Sequence, residues 1–140
     1  MTRVRASRRE LLLVAAGGMV GALARYGLAE AAPIEAGRFP VTTLAINITG
    51  AFLLGVLLEW LTRHRDLEHW MRFMVGVGVL AAFTTFSTFM VEVVQLARDG
   101  HLATALVYAG TSLVAGIAAV VTGLYVSGWR APPVPEEGES

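Results

Sequence analysis

Residues 73–96 read FMVGVGVLAAFTTFSTFMVEVVQL, and this stretch decides the fold. Glu92 is the one charged side chain within it. A helix of about 20 residues, rising 1.5 Å per residue, crosses the roughly 30 Å of hydrocarbon in a bilayer, so the run is long enough to span one. Three runs of the same kind flank it. Leu11 to Ala32 is interrupted by Arg25 and Glu30, Val41 to Leu61 holds Asn47 inside and Glu59 near its end, and Leu102 to Trp129 follows. Lipid offers backbone groups no hydrogen-bond partner, so each run is expected to be helical. The runs are apolar almost all round, which fits lipid contact better than a soluble bundle with one wet face.

Composition agrees. The 140 residues are 55% hydrophobic and 16% charged, with a mean hydropathy of +0.61. Soluble domains are usually nearer a quarter charged. Net charge is zero, so no basic field points to a nucleic-acid partner. The chain has no cysteine, which removes disulfides, thiolate chemistry and cysteine-based zinc sites. The run from Leu11 to Ala32 is longer than a signal-peptide core, and three more spans follow it, so no cleaved leader is expected. The connections are short: Pro33 to Pro40, Thr62 to Arg72, and the turn Arg98-Asp99-Gly100-His101. The organisation expected is a basic segment over 1–10, one four-helix domain over 11–129, and a Pro- and Glu-rich tail over 130–140 too polar to fold.

Four spans place both termini and the second connection on one side. Arg3, Arg5, Arg8, Arg9, Arg63, Arg65, Arg72 and Arg130 lie there, against Arg38 and Arg98 on the other. Cytoplasmic termini are expected. Small residues recur at four-residue spacing (Gly17 with Gly21, Gly18 with Ala22, Ser112 with Gly116), and such spacing lets membrane helices approach closely. Packing within one subunit is the expectation for most of them.

Polar groups inside the spans carry the functional signal. Thr84, Thr85, Ser87 and Thr88 put four hydroxyls into five positions of the third span. One hydroxyl alone can return to the carbonyl four residues back. Four together favour a break near the middle of the helix, tolerated only where it lines a cavity or is buried in protein. Unpaired N–H groups at such a break favour an anion, while unwound carbonyls favour a cation. Phe86 and Phe89 lie three apart, on one face of a continuing helix, and the positive edges of two rings can hold a small anion. Spacing alone does not separate that role from ordinary packing. Asn47 must face protein or water, as a donor or as interhelical glue. Arg25, two-thirds along the first span, is expected to snorkel to the outer interface. Glu92 lies one turn after Thr88, and Tyr108 one turn before Ser112. His64, His69 and His101 fall in connections without a paired nucleophile or ligand spacing, so no enzyme is expected.

At these positions the chain resembles the CrcB/Fluc family of fluoride channels. The resemblance runs from about Leu11 to Trp129. It is carried by GGMVGALARY at 17–26, TLAINITGAF at 43–52, TTFSTF at 84–89, and Tyr108 with Ser112, Gly116 and Gly123 in the last span. It implies an all-α membrane protein, an antiparallel dimer of four-helix subunits with a broken third helix, two anion pathways and a central sodium ion. Phe86 and Phe89 would present their edges to fluoride and Asn47 its amide, while Ser87, Thr88, Tyr108 and Ser112 would form a polar track. Glu92, Arg25 and Thr43 would stand at a vestibule or pore entrance, and main-chain carbonyls of Ala81 and Thr84 would hold the sodium. The family commonly carries glycine where this chain has Ala81-Ala82-Phe83 and Thr42. The implied partners are fluoride, sodium, the lipid of the bacterial cytoplasmic membrane, and a second copy or a related chain of opposite orientation. The competing expectation is a small dual-topology antiporter exchanging drugs or cations for protons, which would need a membrane-embedded carboxylate early in the chain.

Overall fold

A computed structural model describes residues 7–63 and 69–128. His64, Arg65, Trp129, Arg130, the tail expected over 130–140 and most of the basic segment expected over 1–10 lie outside the described residues. Helix α1 (Arg8–Ala31) begins three residues before the apolar run because Ser7 and Glu10 cap it reciprocally. The Ser7 hydroxyl accepts the Glu10 N–H at 3.2 Å, and the Glu10 carboxylate accepts the Ser7 N–H at 2.7 Å. Helix α2 covers Val41–Arg63. The third span opens with α3 (His69–Met71), winds as a π-helix over Arg72–Leu80, and continues in α4 (Ala81–Phe83). Thr84 and Thr85 are extended, and α5 (Phe86–Arg98) follows. Gly100, with φ of +85°, makes the turn into α6 (Leu102–Val126). Among the described residues the protein is all-helical, with four helical segments long and apolar enough to cross a membrane: Arg8–Ala31, Val41–Arg63, Arg72–Arg98 and Leu102–Val126.

Two close helix pairs build the bundle. Helix α1 runs alongside the π-helical stretch in the same direction, and Gly17 and Gly21 set their separation. A Cβ added at Gly17 would stand 2.1 Å from the Met74 carbonyl oxygen, and one at Gly21 2.1 Å from that of Val79. Helix α2 runs alongside α6 in the same way, with Gly55 against the Val120 carbonyl and Gly123 against that of Phe52. These contacts are backbone on backbone, the closest approach that small residues allow. Gly18 and Gly116 depart from the expected packing within one subunit. A Cβ at either would meet nothing within 4 Å, so neither packs against a neighbouring helix, and the space beside Gly116 belongs to a cavity.

Much of the outer surface is apolar, with Leu12, Leu113 and Val126 all more than 60% exposed. Water would oppose such a surface, and lipid tails would not. Charged groups mark one end of the bundle. Arg63 pairs with the buried Glu59 at 2.8 Å and donates to the Gly128 carbonyl, tying the end of α2 to the end of α6. Arg72 donates to the Leu61 carbonyl at 3.4 Å. At the opposite end, Gly37 in the first connection lies against His101 in the last.

Candidate functional site

The site is organised by the two extended residues between α4 and α5. A continuing helix would bond the Thr85 N–H to the Ala81 carbonyl. Instead the N–H donates to Asn47 Oδ1 at 2.8 Å, and the Thr85 carbonyl accepts from Asn47 Nδ2 at 3.0 Å. One amide on α2 therefore satisfies both backbone groups of the residue, which lipid could not do. The second N–H of Nδ2 is left for another acceptor. Thr85 also caps α5, its hydroxyl accepting the Thr88 N–H at 3.1 Å. That hydroxyl donates its single hydrogen to Thr88 Oγ1 at 2.9 Å, so the 3.3 Å contact with Ser87 must take its hydrogen from Ser87. Thr84 turns back, donating both N–H and hydroxyl to the Leu80 carbonyl at 3.1 Å.

Arg25 does not snorkel. Its Nε donates to the Ala82 carbonyl at 3.0 Å, at the end of the helical segment. With residues 84 and 85 extended, the last carbonyls of that segment lose their usual donors, and a guanidinium both bonds them and complements the negative end of the helix. That gain outweighs the drift of an arginine towards water, which governs when no such acceptor is near.

Beside the interruption lies a cavity of about 570 Å³, whose lining includes Asn47, Thr84, Thr85, Phe86, Phe89 and Ser112. Ala81 and Gly116 line it too. Phe86 is 76% exposed, and its ring centroid lies 5.8 Å from that of Phe89. Phe89 packs in turn on Tyr108 at 5.2 Å. The Ser112 hydroxyl is buried without a hydrogen-bond partner among the described residues. Glu92 is held at both oxygens, by the Thr43 hydroxyl at 2.6 Å and the Tyr108 hydroxyl at 2.7 Å. The fold thus joins Thr43, Glu92 and Tyr108 in one cluster and Asn47, Thr85 and Thr88 in another, with Phe89 touching Tyr108 between them. Phe39 was not singled out by sequence. It precedes α2 and packs edge-on to Tyr108, with centroids 5.3 Å apart and planes at 75°. Its place in a Pro- and Gly-rich connection gave no periodicity by which to find it.

Residues 12–124 match the family model described as CrcB-like protein, Camphor Resistance (CrcB). The chain belongs to the CrcB family. Among curated members of the family, "Fluoride-specific ion channel FluC" of Acidobacterium capsulatum is 46% identical over 116 residues, which is 82% of this chain and 93% of that one. The protein of the same name in Novosphingobium aromaticivorans is 43% identical over 81% of this chain and 91% of its own. "Fluoride-specific ion channel FluC 3" of Streptomyces avermitilis is 43% identical over 89% of this chain but only 61% of its own length. The CrcB match covers most of α1, all of α2, the whole third span and nearly all of α6, and so includes every residue of the cavity named above.

Proposed function

We propose that this CrcB protein is a fluoride-selective channel, letting fluoride leave the cytoplasm passively and so relieving its toxicity. It is a multi-pass protein of the bacterial cytoplasmic membrane. The observation that carries the proposal is the donor set offered by Asn47, α5 and α6, which is uncharged, the Arg25 guanidinium being turned to the Ala82 carbonyl. Fluoride is small and strongly hydrated, and a pore must replace its water with close donors that still let it go. The second Asn47 N–H, the Thr88 and Ser112 hydroxyls and the edges of Phe86 and Phe89 suit that task. Glu92, the carboxylate on α5 with Phe86, Thr88 and Phe89, is occupied by Thr43 and Tyr108.

In this reading the third span acts as an interrupted membrane helix, and two chains in opposite orientations make the working unit. The cavity and the open space beside Gly18 and Gly116 leave room for a second backbone. A sodium ion would serve as a structural cation between the two copies, held by the Ala81 and Thr84 carbonyls. These residues fit the role. The helical donor to the Ala81 carbonyl is diverted to Asn47, and φ at Ala81 is −68°, which alanine adopts as freely as glycine.

The antiporter alternative needs a carboxylate embedded in the membrane early in the chain, and Glu30, one residue from the end of α1, stands exposed at the edge of its span rather than inside it. Glu10 is in the capping box, and Glu59 is paired with Arg63. Fluoride efflux from liposomes containing only this protein, with no proton gradient imposed, tests the proposal. Efflux that required an opposing proton gradient would refute it.

A further inference from the structure

The geometry points to Phe39 as a positioning residue for the anion pathway, holding Tyr108 so that its hydroxyl keeps the Glu92 carboxylate off the route. This rests on the channel reading and adds to it a residue outside the membrane helices. Tyr108 is fully buried, and two rings grip it, Phe89 at 5.2 Å and 59°, Phe39 at 5.3 Å and 75°. The second arrangement is edge-to-face, which adds attraction beyond the area buried. Phe39 is itself fixed. Its carbonyl accepts the Val41 N–H at 2.9 Å, the next residue, Pro40, is fully buried, and the Pro40 carbonyl accepts from Leu44 at 3.1 Å. A rigid turn at the start of α2 thus sets the Tyr108 ring, and the ring sets its hydroxyl 2.7 Å from Glu92. Thr43, on the first turn of the same helix, holds the other carboxylate oxygen at 2.6 Å. Without Phe39 the tyrosine can rock, the carboxylate keeps one firm donor instead of two, and its negative charge is freed towards the donors that fluoride needs.

Fluoride efflux from liposomes tests this with Phe39→Leu, Phe39→Tyr, Tyr108→Phe and the Phe39→Leu/Tyr108→Phe double variant. Phe39→Leu is expected to slow efflux about two- to tenfold, the range of an aromatic pair. Phe39→Tyr, which keeps the ring, should match the wild type. Adding Phe39→Leu to Tyr108→Phe should slow efflux no further, because the hydroxyl through which Phe39 acts is already gone. Wild-type efflux in Phe39→Leu, or losses that multiply in the double variant, would overturn the assignment. Where Tyr108→Phe leaves no efflux to reduce, the ring-for-ring comparison decides, and equal efflux from the Leu and Tyr variants overturns it. Phe39→Met runs through the same comparisons, so a leucine variant that fails to fold does not close the question. A wild-type protein that passes no fluoride would refute the channel reading itself, an outcome distinct from all of these.

Discussion

Asn47 shows what a single residue discloses in sequence and what it withholds. An amide in the middle of a membrane span must find a partner, so its importance was legible. That its partner is the backbone of one residue, bonded at both N–H and carbonyl, depends on how α2 meets the third span, and no spacing encodes that. Arg25 misled for a related reason, because its acceptor exists only where the helical segment ends at Phe83. Asn47→Asp keeps an acceptor for the Thr85 N–H but sets a carboxylate against the Thr85 carbonyl. Leaving that carbonyl unpaired costs about 1–3 kcal/mol, so both fluoride efflux and the unfolding midpoint in detergent should fall. Wild-type values of both would reduce Asn47 to a replaceable interhelical contact. The two phenylalanines should separate under the same measurements. Phe86 is largely exposed, whereas Phe89 packs on buried Tyr108. Replacing Phe86 with Ile should cut efflux about tenfold with little change in stability, since the loss is a ring edge. Phe89→Ile should lower both. Unchanged efflux in both variants would return the rings to packing.

At the scale of elements, lipid made the spans readable. Each backbone group must be satisfied within its own segment, so four long apolar runs could only be helices, and their limits fell within a few residues of α1, α2, the third span and α6. The capping box that starts α1 three residues early was present as Ser7 and Glu10 but masked by the arginines around it. The π-helical winding over nine residues was not legible. Such winding is rare, and its hydrogen-bond pattern leaves no mark in the hydropathy of the run. It lies where α1 comes closest, with Gly17 and Gly21 against its carbonyls. The start of α5 rests on Thr85, whose hydroxyl caps the helix and reaches Thr88. Thr85→Val keeps the shape and deletes the bonds to Thr88 and the contact with Ser87, so it should destabilise the protein by about 1 kcal/mol, while Thr85→Ser should restore the loss. Equal stability of the Val and Ser variants in denaturant titrations would show that the cap contributes nothing.

At the scale of the whole molecule, charge and symmetry pull against each other. Arg8 and Arg9 at the start of α1 share with Arg63 and Arg72 the end of the bundle where α2 and α6 finish, against Arg38 and Arg98 at the other, so the arginine count favours one orientation. An antiparallel homodimer requires both orientations of the same chain. Single cysteines in the Arg98–His101 turn and in the C-terminal tail, introduced into a chain with none, report the outcome. In intact cells expressing no related protein, each probe is expected to label from both sides of the membrane. Labelling of each from one side only would reject the homodimer and favour a partner chain of opposite charge bias. Whichever partner is used, the uncharged donors of Asn47, α5 and α6 should select fluoride without coupling it to protons. Current through a planar bilayer containing only this protein, under a fluoride gradient, measures that directly. The reversal potential should follow the fluoride equilibrium potential and stay there when chloride is exchanged across the membrane or a pH gradient is imposed. A reversal potential that follows chloride or protons would contradict it.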